Sequence, residues 1–146
     1  MFLFRNLLRY LLLTSLISVC SANKAIPISY EGKLAISKIA VTATVVAIEL
    51  IEEKVITATG NSIQEFRCRA RLKVVQFLKN DSSDQQLDGK VLVIEFVRVD
   101  NRLYMGDQIP VIKVGDRVKV FIENPAITEN EIKGKVGNVN HLEIIK

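Results

Sequence analysis

The chain has 146 residues, the length of a single domain, and 49% of them are hydrophobic, which is enough to bury a core. Its formal net charge is +4, but Arg5 and Arg9 lie in an N-terminal segment that we expect to be removed. The remaining chain has 18 basic and 16 acidic residues, a net charge of +2. This composition excludes a highly charged disordered chain and carries no strong nucleic-acid signal.

The N-terminal segment has the three parts of a secretory signal peptide. Arg5 and Arg9 precede the apolar run Leu11–Val19, and the small residues of Cys20–Ala22 follow it. Because Arg9 interrupts the apolar residues, the run is shorter than the roughly 18 to 20 residues that a membrane-spanning helix needs. We predict a signal-peptide helix at residues 1–22, cleavage after Ala22, and an exported protein, periplasmic or secreted, whose single domain covers residues 23–146.

The end of this segment supports a second interpretation. The sequence "ISVC", residues 17–20, resembles a bacterial lipobox, in which the cysteine is lipidated and becomes the N-terminal residue. Ser18 suits that motif, whereas Val19 stands where Gly or Ala is usual. In this interpretation Cys20 anchors the protein to a membrane.

The mature chain has one cysteine, Cys68, so it cannot form an intramolecular disulfide. Small secreted domains of animals usually depend on disulfides, which favours a bacterial exported protein here. Cys68 shares its strand face with Phe66, Ala70 and Leu72, and we predict that it is buried and reduced.

The first half of the mature chain predicts two long strands. A short helical turn is expected at Lys33–Ile39, followed by a strand at Val41–Ile51 that continues after a kink at Glu52-Glu53 as far as Thr59. Gly60-Asn61 is a hairpin signal, because Gly accepts positive φ. The second strand is expected at Ser62–Leu78.

Shorter strands are predicted in the second half. Polar loops at residues 79–90 and 100–108 flank a third strand at Val91–Val99. A short strand near residues 110–114, a turn at Gly115-Asp116 and a strand at Arg117–Glu123 follow. Residues 132–146 close the chain as a hairpin or two short strands that bend near Gly137-Asn138.

Five or six curved strands with little helix predict an all-β fold, a small OB-like barrel. The runs "ISKIAVTATVVAIELIE", "RLKVVQFLKN", "GKVLVIEFV" and "IKVGDRVKVFIEN" resemble the netrin-module and metalloproteinase-inhibitor type of OB-fold over residues 36–124. The resemblance implies the fold alone. Animal members of that group begin with a cysteine that forms disulfides, and the mature chain lacks it, so protease inhibition is not implied.

No catalytic or metal-binding motif is evident in the sequence. His141 is the one histidine, and a metal site needs several converging ligands. A nucleophilic pair of Cys68 with His141 is disfavoured because the pattern places Cys68 in the core. We therefore predict no metal, no cofactor and no enzyme activity.

The stretch "EFRCRARLKVV" places basic residues on one face of the second strand. The third strand adds Arg98, and its Glu95 is expected to lie across from the basic face and offset part of its charge. One hypothesis is a binding platform for anions or glycans, and the other is a solvated strand face. The platform would consist of Arg67, Arg69, Arg71, Lys73 and Arg98, with Arg102 beyond the end of the strand.

The sequence therefore predicts an exported, non-catalytic OB-like module that binds a partner protein or a polyanionic component of the cell envelope. The alternative is a lipid-anchored structural or assembly subunit of a bacterial cell envelope, attached through Cys20. Neither the partner nor the oligomeric state follows from the sequence.

Overall fold

The computed structural model describes residues 26–58, 60–82, 86–100 and 109–146. The predicted signal peptide, its Cys20, and Arg102 lie outside these residues. Within them, no helix is both long and apolar enough to span a membrane.

A short helix precedes the sheet. Helix α1 spans Tyr30–Ile36 and is capped by Ser29, whose side chain accepts a hydrogen bond of 3.1 Å from the Gly32 N–H. It begins and ends three residues before the predicted helical turn. The Tyr30 ring packs edge-on against the buried Phe121 at 6.2 Å between centroids, which holds the helix on the outer side of the sheet.

Two strands of 20 residues each form the main hairpin. β1 spans Ile39–Ala58, and β2 spans Asn61–Asn80. Gly60 has a φ of +80°, as the predicted hairpin turn requires. The predicted kink at Glu52-Glu53 is present as a register shift between Leu50 and Glu52.

Five shorter strands complete the sheet. They are β3 at Val91–Asp100, β4 at Arg117–Ile122, β5 at Ala126–Ile127, β6 at Glu131–Val136 and β7 at Leu142–Ile144. The short strand predicted near residues 110–114 is wrong, because this segment is irregular. Its Ile112 is buried and covers one end of the core.

The closing residues form two short strands rather than a hairpin. β6 pairs with β3 in parallel, whereas β7 pairs with β4. A bend at residues 138–141 therefore separates strands that join opposite sides of the sheet.

The described strands form one sheet in the order β5-β6-β3-β2-β1-β4-β7. The all-β class is confirmed, but the predicted OB-like barrel of five to six strands differs from the structure, which has seven strands in an open sheet rather than a closed barrel. The extra strands are β5 and β7, which have two and three residues. Such short strands leave no clear apolar alternation in the sequence.

The core lies on one face of this sheet, which we call the inner face. Alternate residues of β1, β2, β3, β4 and β6 meet there, and Leu87, Ile109 and Ile112 from the loops close its ends. Buried residues in β1 end at Val45, and those in β2 begin at Cys68. The distal half of the β1–β2 hairpin therefore projects beyond the core.

Candidate functional site

The predicted basic residues of β2 occupy every second position of the strand, and their side chains lie on the outer face of the sheet. Cys68, Ala70 and Leu72 between them are buried in the core. Pairing with β3 places Arg69 beside Glu95 and Arg71 beside Val93. The period-two alternation in the sequence therefore assigned both faces of β2 correctly.

Glu95 joins two of the predicted arginines. Its carboxylate accepts hydrogen bonds of 3.0 Å from both Arg67 and Arg69. Glu49 lies 3.3 Å from Arg69 and Glu52 lies 3.9 Å from Arg67, on β1. Three carboxylates thus surround two guanidinium groups, so Arg67 and Arg69 contribute no surplus positive charge, and the predicted offset by Glu95 is confirmed.

The ion pairs also change proton affinity. Hydrogen bonds from Arg67 and then Arg69 hold the pKa of Glu95 below its usual range. The hydrogen bond to Glu95 likewise raises the pKa of Arg69. Both shifts favour the charged forms of Glu95 and Arg69.

Arg98 does not belong to this surface. It pairs with Phe66, whose neighbours on β2 face the core, so Arg98 extends from the inner face beyond the end of the core. It borders an apolar groove with Cys68 and Val97 instead. The predicted five-residue platform is thus divided between two faces, with four residues on the outer one.

Strand β6 adds two lysines that were not predicted from the sequence. In β6, Lys133 lies beside Val93 and Lys135 lies beside Glu95 on the neighbouring β3. The segment "EIKGKV" alternates charged and apolar residues in the same way as β2, and this signal could have identified a second charged strand. The alternation in this segment does not predict the parallel pairing that brings β6 next to β3.

Arg71, Lys73, Lys133 and Lys135 are therefore the basic cluster of the outer face. All four are exposed, and Lys133 forms an ion pair of 3.7 Å with Glu131 of the same strand. Arg71 and Lys133 flank Val93 on either side. This arrangement presents an apolar floor between cations.

A groove of about 790 Å³ runs along three members of this cluster. One wall is the outer face of β2, β3 and β6, and the other includes Glu123, Asn124 and Ala126. The groove contains both signs of charge. Its titratable lining residues are Arg69, Arg71, Lys133, Lys135, Glu95, Glu123, Glu131 and His141.

His141 is held in place at the end of this groove. Its Nδ1 accepts a hydrogen bond of 3.0 Å from the Gly137 N–H, so Nε2 carries the proton and donates to Glu123 at 3.2 Å. Nδ1 is thus engaged by the bend that follows β6, and Nε2 is engaged by Glu123, the residue after β4. Neither nitrogen is directed to Cys68, the cysteine of the disfavoured catalytic pair.

Cys68 itself is a buried core residue, as predicted. Burial raises the pKa of its thiol, and the positive charge of Arg98 offsets part of this effect. The described residues contain no group of three or more His, Cys, Asp or Glu side chains placed to hold a metal ion.

Comparison of the chain with protein-family models, with curated proteins and with solved structures gave no match.

Proposed function

We propose that the chain is an exported, non-catalytic binding module with an OB-like sheet, and that it binds a polyanion across the basic cluster of its outer face. The observation that carries this proposal is the cluster of four exposed cations on β2 and β6, flanking Val93. A group of exposed cations suits a ligand with repeated negative charges, such as an acidic polysaccharide or a teichoic-acid-like phosphate polymer.

Three features support the OB-like part of the proposal. Five of the strands are six residues or longer, and β5 and β7 are marginal additions to them. All five contribute inner-face residues to one core. The OB-fold is a five-stranded, partly open barrel whose second and third strands form the ligand face. Here β2 supplies Arg71 and Lys73 of the proposed surface, and β3 supplies Val93.

The netrin-module resemblance enters this proposal as a fold only. The non-catalytic part rests on the arrangement of the reactive side chains. His141 has both ring nitrogens engaged, and Cys68 is buried with a raised thiol pKa.

The test is retention of the exported protein on heparin at low salt, comparing wild type with the variant Arg71→Gln, Lys73→Gln, Lys133→Gln, Lys135→Gln. Each neutralised phosphate or sulfate releases counterions, so we expect the variant to elute at markedly lower salt. The affinity of the wild type for heparin should also fall steeply as the salt concentration is raised.

The matched control removes the same charge elsewhere, through Lys38→Gln, Lys113→Gln, Arg117→Gln and Lys146→Gln, all at exposed positions. We expect it to elute close to wild type. Equal losses in the two variants would mean that net charge alone causes retention, and the proposed site would be wrong. Failure of the wild type to bind at low salt would equally contradict the proposal.

The lipid-anchored subunit is a second candidate, favoured by how the N-terminal segment is attached. The buried Asn140 accepts a hydrogen bond from the Ile28 N–H at 3.1 Å and donates one to the Ile26 carbonyl at 3.0 Å. Ile26 follows Cys20 by six residues. A lipidated Cys20 would therefore hold the domain within about 20 Å of the bilayer. Mass spectrometry of the mature N-terminus distinguishes a diacylated Cys20 from a free Asn23.

A further inference from the structure

The distal half of β1 has one paired edge and one open edge. β1 pairs with β2 along its length, whereas its pairing with β4 ends at Thr44. Val45 then exchanges two backbone hydrogen bonds with residues 115 and 116. Between residues 46 and 58, no described strand lies on this side of β1. An edge of this length presents a row of backbone donors and acceptors ready to pair with another strand.

This edge is also unusually apolar for an exposed strand. Val46 and Leu50 are each 55% exposed and Val55 is 64% exposed. Ile51 and Ile56 are exposed as well. Edge strands of monomeric proteins are normally protected by charges, prolines or short length. Residues 46–57 have four charged side chains but no proline, and they belong to a strand of 20 residues. A long edge that combines exposed apolar side chains with charges suits an interface.

The faces of the edge strand restrict how a second copy could pair with it. Glu49 and Lys54 lie beside Arg69 and Glu65, so both occupy the outer face. Ile48 and Val55 lie beside Ala70 and Gln64, on the inner face. In a regular strand, residues five apart lie on opposite faces. The register shift between Leu50 and Glu52 adds one residue, so that Glu49 and Lys54 lie on the same face.

Antiparallel pairing of two copies about a two-fold axis sets residues of the same face opposite each other. If Glu49 lies opposite Lys54 of the second copy, then Ile48 lies opposite Val55 and Ala47 opposite Ile56. Symmetry produces each of these contacts twice. The adjacent register that keeps the faces matched instead sets Glu49 opposite Glu52, where like charges repel.

We propose that the chain forms a two-fold symmetric dimer in which residues 46–57 of β1 pair antiparallel with the same residues of a second copy, continuing the sheet. The self-complementary charges, Glu49 against Lys54, favour a second copy over an unrelated strand. The basic cluster lies elsewhere, on β2 and β6, so this interface and the polyanion site can be tested separately.

The register is tested by crosslinking two variants of the exported protein, Glu49→Cys and Lys54→Cys. Under mild oxidation a mixture of the two should give a disulfide-linked dimer that contains one of each chain. Either variant alone should crosslink poorly, because its two introduced cysteines would lie about 17 Å apart along the ladder. The buried Cys68 does not compete.

The strength of the interface is tested by analytical ultracentrifugation of Lys54→Glu, which sets two like-charged pairs across the axis. We expect its dimer dissociation constant to rise about tenfold, while Lys113→Glu, an exposed control away from β1, remains at the wild-type value. A wild type that sediments as a monomer at 100 µM, or a dimer in which the mixed variants do not crosslink, would overturn the proposal.

Discussion

Cys68 shows what one residue contributes to this fold. Cys68 is 6% exposed and lies in the core beside the inner-face residues of β1 and β3. The Phe66 carbonyl is 3.9 Å from the sulfur, a distance too long for a hydroxyl to make a good hydrogen bond. A polar replacement would therefore be buried without a close partner.

Replacing Cys68 with Ser should lower the free energy of unfolding by about 1 to 3 kcal/mol. Cys68→Ala, which buries no hydroxyl, is the control and should cost less than Cys68→Ser. Urea unfolding of the three proteins measures both values. Native Cys68 should also react slowly with a thiol reagent, because burial raises its pKa; rapid labelling, or equal stability of the Ser variant and wild type, would show that the site is not closed.

At the scale of the strands, Glu95 links β3 to β2 by accepting hydrogen bonds from two arginines. Its folded-state pKa is lowered, so its contribution to stability is fully present above the ordinary carboxyl pKa of about 4.3 and is lost as pH falls through the lower folded value. The side chain is 25% exposed, and solvent screens the interaction.

The variant Glu95→Gln should therefore be less stable than wild type at pH 7, by an amount typical of partly exposed ion pairs, about 0.2 to 1 kcal/mol. The difference should shrink as pH is lowered below about 4, and also in high salt. Thermal unfolding across this pH range measures it. Glu129→Gln, at an exposed turn, is the control; a pH-independent difference for Glu95→Gln would indicate that the carboxylate charge is not what stabilises the pair.

The strands also show where period-two alternation was sufficient and where it was not. It correctly placed Cys68 on the inner face of β2. It also placed the four basic residues on the outer face, namely Arg67, Arg69, Arg71 and Lys73. In β3, the same alternation places Glu95 and Arg98 on opposite faces, because they are three residues apart. The pattern in the sequence is therefore sufficient to exclude Arg98 from the outer face. The position of Lys133 and Lys135 beside the other basic residues depends on the pairing of β6 with β3, which lie far apart in the chain.

For the whole molecule, the decisive contact is the approach of β6 to β4 across the curled sheet. These strands are not hydrogen-bonded neighbours, yet a Cβ at Gly134 would lie 2.8 Å from Cγ2 of the buried Ile122. Gly134 therefore allows the two sides of the open sheet to pack closely over the core.

Gly134→Ala should destabilise the protein by about 1 to 3 kcal/mol, because the added methyl overpacks the core beside Ile122. In the background of Ile122→Ala, which vacates that space, the same substitution should cost much less. Chemical denaturation of the four proteins of this cycle measures the coupling. Gly137→Ala, whose nearest neighbour would be His141 at 3.9 Å, is the control; equal costs in both backgrounds would contradict close packing of β6 on β4.

Local sequence patterns were sufficient to predict the strand-rich class, the two faces of the long strands and the burial of Cys68, because alternation and turn chemistry act over a few residues. Local patterns were not sufficient to predict which strands are neighbours or whether the sheet closes. Those outcomes depend on contacts between residues far apart in the chain, such as Glu95 with Arg67 and Arg69, or Gly134 with Ile122. Because of these contacts, Arg67 and Arg69 of β2 are ion-paired, and the surplus positive charge of the outer face belongs to the basic cluster on β2 and β6.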